Sequence, residues 1–299
     1  MAINNFIPTI WSETLYRELD TRYIAVKHCN RDFEGDIKEK GDKVKINGLG
    51  AVTIGDYTKN TNMSGPETLS DSTRLLEITK QKYFNFQIDD IDKVQQTPKV
   101  MQEAMRTASK GLANAADQYV FGMYGASGNT IALDGSSNTM FKSDNNNVVS
   151  AEQLTSATAT TKLFAIQQKL QENDVMFDEE DEIFLEISPA IWATIAPDII
   201  GKKTNNDRIT DRGFVADYLG FKIFVSNNIA KVTETVSGAS KSVFKCYART
   251  RRAVSYAEQL NEVEAYRPEL RFADAVKGLH LYGAKLIYPK ECILVNWYL

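Results

Sequence analysis

Polar and apolar residues alternate along two stretches of this chain that are separated by a polar loop. Asp42-Lys43-Val44-Lys45-Ile46-Asn47 alternates, Val52-Thr53-Ile54 takes the pattern up again after Gly48-Leu49-Gly50, and Leu76-Glu77-Ile78-Thr79-Lys80 repeats it on a return leg. A period of two is that of a strand covered on one face. Between Gly55 and Ser72 the chain turns polar and carries Gly65-Pro66, the composition of a loop tip. The pattern predicts an extended ribbon too polar to form a core of its own. A lone two-stranded ribbon is marginally stable and leaves backbone groups unpaired along its edges. We therefore expect its surface to be completed by another copy of the same chain.

The periodicity then changes. Tyr83-Phe84-Asn85-Phe86-Gln87-Ile88 puts Phe84, Phe86 and Ile88 on one face of a strand, and Thr97-Pro98 supplies an N-cap and a first-turn proline for a helix. Apolar or small residues at Met101, Ala104, Met105, Ala108, Leu112, Ala115, Ala116, Tyr119 and Val120 carry that helix to Gly122. At about 25 residues it spans about 37 Å. Ahead of the ribbon, Ile7, Ile10, Trp11, Leu15 and Leu19 recur at helical spacing and form an apolar stripe that must dock on its own core or on a neighbour. Residues 125–150 read as a long Gly/Ser/Asn/Asp loop and a boundary between subdomains. Beyond it lies an α/β unit: a helix through Leu163, Ile166 and Leu170, a buried strand Ile183 to Ile187, a helix capped by Ser188-Pro189, and strands Phe221 to Val225 and Val243 to Tyr247. The final strands are expected at Ala253 to Tyr256, His280 to Tyr288 and Cys292 to Val295.

Composition narrows the chemistry. The chain has 299 residues, 43% hydrophobic and 25% charged, with the balance of a folded globular protein. No stretch reaches the length of a membrane span, and the first residues lack the apolar run of a secretory signal, so we expect a protein made and kept in a cytoplasm. Cys29, Cys246 and Cys292 show no metal-type spacing and read as reduced, buried thiols. The net charge of −4 argues against a protein whose task is to neutralise phosphates; Arg249, Arg251 and Arg252 form the nearest basic cluster, with surface ion pairs as the plainer reading. Only two histidines are present, His28 and His280. His28-Cys29 could pair a base with a nucleophile, but neighbouring side chains usually diverge and no orienting group is visible. Asp89, Asp90 and Asp92, and the run Asp178 to Glu182, could hold a cation, yet they lack the glycine and spacing of a calcium loop. Gly201-Lys202-Lys203-Thr204 lacks the first glycine of a phosphate loop, and Gly48-Leu49-Gly50 lacks the third glycine of a dinucleotide fingerprint. No catalytic, cofactor or metal site is expected.

The order of several segments resembles the major capsid proteins of tailed bacteriophages with the Hong Kong 97-type fold. They are Phe6-Ile7-Pro8-Thr9-Ile10-Trp11-Ser12, Asn30-Arg31-Asp32-Phe33-Glu34-Gly35-Asp36-Ile37, Gly41 to Ile46, Phe86-Gln87-Ile88-Asp89-Asp90, Ala115-Ala116-Asp117, Arg267-Pro268-Glu269 and Phe272 to Lys285. The resemblance covers nearly the whole chain. It implies an α+β fold with an N-arm (1–31), an extended β-hairpin E-loop (32–82), a peripheral P-domain with a long spine helix (83–128 and 246–299) and an α/β axial A-domain (129–245). In that family the E-loop lies over a neighbour's P-domain, the partner that the lone ribbon lacks. Neither a large inserted domain nor a scaffolding segment ahead of the arm is expected.

By that resemblance the chain is a structural coat protein, not an enzyme, that assembles into hexamers and pentamers of an icosahedral head. The implied partners are the chain itself, scaffolding, portal and decoration proteins, and packaged double-stranded DNA bound without sequence specificity. No membrane and no cofactor is implied, and the location is the virion after assembly in the host cytoplasm. Contacts between copies are expected at Trp11, Leu15 and Leu19 in the arm and at Val52, Ile54 and Tyr57 on the ribbon. Two other readings are an encapsulin-like nanocompartment shell of the same fold and a cytoplasmic α/β enzyme that uses carboxylates.

Overall fold

A computed structural model describes residues 23–33, 43–49, 71–89, 100–125, 141–142, 151–175, 182–201, 217–236, 238–270 and 272–299, with residues 56, 59, 62 and 65 singly between. The described chain is built on two sheets and a two-stranded ribbon.

The ribbon pairs β1 (Lys43–Leu49) with β2 (Asp71–Glu77), antiparallel, in a register that sets Lys43 opposite Glu77 and Leu49 opposite Asp71. The Lys43 ammonium lies 2.7 Å from the Glu77 carboxylate. After Ile78-Thr79 the chain enters β3 (Lys80–Asp89), an edge of a three-stranded antiparallel sheet whose centre is β12 (Ala273–Leu286) and whose other edge is β11 (Val254–Tyr266). One face of this sheet carries α1 (Val100–Phe121), a helix of 22 residues with Met105, Leu112, Ala113, Ala116, Val120 and Phe121 buried. The interval of these residues is the core stripe of an amphipathic helix. The alanines let the helix approach closely: the Tyr282 hydroxyl of β12 donates to the Ala115 carbonyl at 3.4 Å.

The other face of the sheet carries the ribbon root. Ile46, Leu76 and Ile78 are buried with Ala257, Leu281 and Ile287 in a second, smaller core, and the Arg74 guanidinium donates to the Leu286 carbonyl. The root is thus completed by its own chain, which corrects the expectation that the whole ribbon waits for another copy. The physical reason is that β12 presents apolar residues on both faces, so the ribbon and α1 sandwich it. Gly283 makes the crossing feasible, because a Cβ there would stand 2.1 Å from the Glu77 carbonyl oxygen.

The second sheet has eight strands: β4 (Phe141–Lys142), β5 (Glu152–Gln153), β6 (Ile183–Ile187), β7 (Asp217–Tyr218), β8 (Phe221–Val225), β9 (Lys231–Val236), β10 (Ala239–Thr250) and β13 (Cys292–Tyr298). β6 and β8 run parallel, as a helical crossover demands, and β10 joins β6 to β13 antiparallel. β6 is buried at every position, the pattern of a strand covered on both faces. The helices α2 (Ala159–Glu172) and α3 (Pro189–Gly201) pack with this sheet, α2 through Leu163, Ile166 and Leu170, and α3 through Ile191 and Ile195. Ser188 Oγ caps α3 by accepting the Ile191 N–H at 3.3 Å. The expected strands and helices of this unit all form, but β9 was not foreseen and β10, β11 and β12 extend well past their expected ends. The helix start at Thr97-Pro98, the loop residues 126–140 and 143–150, and the stretch 202–212 lie outside the described residues.

Two glycines separate backbone crowding from helix propensity. Gly283→Ala is expected to lower stability by about 1–3 kcal/mol, since the added methyl meets backbone that cannot step aside. Gly111→Ala, in open space within α1, is expected to raise it by about 0.5–1 kcal/mol. Differential scanning calorimetry of the two variants should move the midpoint in opposite directions.

Candidate functional site

Residues 23–31 form a strap between the two sheets, with one 3-10 turn at Val26–His28. A turn opens with N–H groups that have no partner within it. Here the N–H groups of Ile24, Ala25 and Val26 all donate to the Asp117 carboxylate near the end of α1, at 3.1, 3.0 and 3.2 Å. Burial pushes the Asp117 carboxyl up to about 6, and the three N–H donors restrain that rise.

The strap rests on a second carboxylate. Glu186, in the middle of β6, is wholly buried and takes both forks of Arg249 from β10, Nε at 2.9 Å and Nη2 at 2.8 Å. Its Oε1 also lies 2.9 Å from His28 Nδ1, which must be the donor because the carboxylate has no proton to give. Burial pushes Glu186 up, but the Arg249 charge and the hydrogen bonds from His28 and Arg249 outweigh it and hold the carboxyl below the ordinary range. Arg249 spends its remaining donors on the strap: Nη2 to the Ala25 carbonyl at 2.8 Å, and Nη1 to the His28 carbonyl at 3.1 Å and to Cys29 Sγ at 3.3 Å. The His28 ring stacks on Phe184 at 4.2 Å between centroids.

A third carboxylate, Glu258 of β11, holds both ends of the strap. It accepts from the Tyr23 hydroxyl at 2.5 Å and from Arg31 Nη2 at 2.6 Å, and His280 Nε2 and the Tyr256 hydroxyl lie 3.1 Å from its Oε2. Burial raises Glu258, but His280, Arg31 and Tyr23 together bring it below the ordinary carboxylate range. Asn30 adds backbone pairing to β11, donating to the Val254 carbonyl at 2.8 Å and accepting from the Tyr256 N–H at 2.9 Å.

This arrangement fastens residues 23–31 to both sheets. The space bounded by Glu186, Tyr247 and Arg249 has no room for a water molecule, and His28 and Cys29 are themselves buried. Burial raises the Cys29 thiol, and it pushes those of Cys246 and Cys292 up to about 12, which leaves all three as buried, unreactive thiols. The basic cluster read from the sequence is also dispersed. Arg249 is 1% exposed inside the pair with Glu186, Arg251 is at the surface, and Arg252 lies 3.3 Å from Glu291. The end of β10 is the reason: the strand is buried at every position from Lys245 to Thr250, which includes Arg249, while the other two sit in the turn after it. Trp11, Leu15, Leu19, Val52, Ile54 and Tyr57, the expected contact residues, lie outside the described residues, as do Asp90, Asp92 and residues 178–181. Among the described residues no cluster of metal-ligating side chains is present, and no helix is long and apolar enough to cross a membrane. Glu186 and Glu258 were not singled out from the sequence, and Asp117 was named only within the segment Ala115-Ala116-Asp117. One signal existed, since Glu186 interrupts an otherwise apolar strand and a carboxylate there demands a buried cation.

A family model described as phage capsid protein matches residues 73–295. Comparison with the curated proteins gives no match. Among solved structures the chain is similar to one from Mycobacterium phage Che8, with 24% identity, a TM-score of 0.63 and 98% of each chain covered. It is also similar to the capsid of Ralstonia phage GP4, with 12% identity, a TM-score of 0.63, and 90% of this chain and 86% of that chain covered. A virus-like particle from Pyrococcus furiosus matches at 10% identity and a TM-score of 0.55 over 97% of this chain and 99% of that chain. At these identities the likeness to each structure is one of fold.

Arg249→Met is expected to cost about 3–5 kcal/mol, because it leaves Glu186 charged and buried without its main partner. The double variant with Glu186→Gln should lose much less than the two single losses together, as read by chemical denaturation. Asp117 predicts a pH effect of opposite sign to that of an ordinary paired carboxylate. Its folded value of about 6 lies above the unfolded 3.8, so its contribution is complete below 3.8 and is lost as pH rises through 6. Relative to Asp117→Asn, the protein should therefore gain about 1.4 kcal/mol per pH unit on going from pH 6 towards 4. The measurement is denaturation of both proteins across that range.

Proposed function

Because the chain belongs to the phage capsid protein family, we propose that it is a major capsid protein of Hong Kong 97-type architecture whose copies form the hexamers and pentamers of an icosahedral head around double-stranded DNA. The observation that carries this reading is the family match over three quarters of the chain. The geometry agrees with it. Both sheets are locked to one strap by buried ion pairs, which makes a stiff subunit able to transmit forces between its contacts.

In this reading residues 1–31 are the N-arm, 32–82 the E-loop, 83–128 and 246–299 the peripheral domain with α1 as its spine, and 129–245 the axial domain. β10 crosses the boundary between the last two and β13 returns to the eight-stranded sheet, so the domains are joined by shared strands. Assembly proceeds by many modest contacts. An interface of about 1,600 Å² in total gains useful affinity from a few apolar anchors, and closed symmetry multiplies it. We assign anchors to Trp11, Leu15 and Leu19 on the arm and to Val52, Ile54 and Tyr57 on the outer ribbon. The net charge of −4 suits a container that lets DNA move rather than gripping it. Scaffolding, portal and decoration proteins are the expected further partners, with assembly in the host cytoplasm.

The likeness to the Pyrococcus furiosus particle favours one second reading, a nanocompartment shell that encloses other cargo. Nucleic acid and a portal in purified particles separate the two. Removing residues 1–19 should leave a folded, soluble chain that no longer forms shells, as seen by negative-stain electron microscopy and light scattering. Normal particles from the truncated chain would refute the role given to the arm.

A further inference from the structure

Asp117 holds the first turn of the strap, and Glu186 holds its middle through His28 and Arg249, but Glu258 meets both of its ends at once. The Tyr23 hydroxyl donates to Glu258 Oε2 at 2.5 Å, and Arg31 Nη2 donates to Oε1 at 2.6 Å. The three-stranded sheet fixes where this carboxylate stands. The Tyr256 hydroxyl of its own strand and His280 Nε2 of β12 reach Oε2 from 3.1 Å, and the His280 side chain is itself buried. Asn30, bridged to Ser255 and hydrogen-bonded to the residues on either side of it, sets the second end of the strap in register beside the carboxylate.

The two ends therefore share one charge. The Glu258 side chain is 6% exposed, and a carboxylate at that depth is stable only while it is paired and hydrogen-bonded. Without Arg31 the carboxyl would draw in water or take up a proton. A neutral carboxyl holds a donor about half as strongly as a charged one, so the Tyr23 bond would weaken although Tyr23 is untouched. Loss of the Tyr23 hydroxyl acts in the other direction, because water let in beside Oε2 raises the local dielectric and weakens the Arg31 pair. Burial and the Glu258 charge push the Tyr23 phenol well above its ordinary value, so it remains a donor throughout.

We propose that Glu258 is a positioning residue that makes the two ends of the strap open and close together, so that the chain before Tyr23 and the chain after Arg31 leave the body in one fixed relation. Its consequence rests on the reading of the chain as a shell subunit. Residues 1–22 belong to the arm and the residues after Arg31 lead into the ribbon, so one shared clasp gives every copy the same angle between its two extensions. Copies with one such angle build particles of one diameter, and copies in which the ends move separately build a spread of diameters.

The test compares full-length Tyr23→Phe, Arg31→Gln and the double variant by hydrogen exchange with mass spectrometry. Tyr23→Phe removes one oxygen and keeps the ring, so the fold survives even where Arg31→Gln loosens it. The amides of Ile24, Ala25 and Val26 report the first end, and those of Asn30 and Asp32 the second. Each single variant should lower protection about tenfold at both ends, the scale of one hydrogen bond to a charged group. The double variant should lower it little further, because either change alone already breaks the coupling. Exchange raised only at the substituted end, with the two effects adding in the double variant, overturns the proposal whether or not shells form. Coupled exchange in a chain that makes no shells removes the shell reading and keeps the coupling. Electron microscopy of assembled particles tests the consequence: a broadened diameter distribution from both single variants supports it, and particles of unchanged diameter overturn it.

Discussion

The structure depends on charge buried where two sheets meet. Glu186 and Arg249 are each 1% exposed or less, and such a pair is tolerable only when nearly every donor and acceptor is used. The guanidinium meets that demand by reaching past Glu186 to two strap carbonyls, so the ion pair is complete only when the strap is seated. Asp117 and Glu258 repeat the logic from α1 and β11. Three carboxylates from three elements converge on nine residues, and none of them would be stable in that position without the strap. The strap therefore fixes how the eight-stranded and three-stranded sheets meet.

A subunit made stiff in this way suits a shell. Contacts at its edges then act on one body instead of dissipating in a hinge between two units. The ribbon root follows the same principle. Arg74 and the small core around Leu76 set the direction in which the ribbon leaves, and the close crossing at Gly283 leaves little room for another angle.

Legibility in the sequence followed the local signal. The helix α1, the caps of α3, the buried strand β6 and the half-covered strand β3 were all visible, because each displays its period over enough residues with clear stops. β11 was read only as far as Tyr256. The reason is a bulge between Leu260 and Glu262, which shifts the pairing by one residue and brings Val263 onto the same face as Tyr256. The alternation changes phase there, and no single periodicity spans the strand. β9 was missed because its exposed positions carry Lys231, Thr233 and Thr235, and only Val232 and Val236 among its six residues are apolar. The ribbon was read correctly as strands but assigned the wrong partner for its root, since alternation says that one face is covered and not by what.

The sequence alone determined the elements, the exclusion of histidine-rich chemistry and, through the order of its segments, the family to which the chain belongs. Those properties are local or cumulative along the chain. Only the tertiary structure decided that Arg249 leaves the apparent basic cluster for a buried carboxylate, and that Asp117, Glu186 and Glu258 converge on residues 23–31. A carboxylate in a strand and an arginine 63 residues later carry no mark of each other, because what pairs them is the low dielectric of a core that exists only once both sheets have formed.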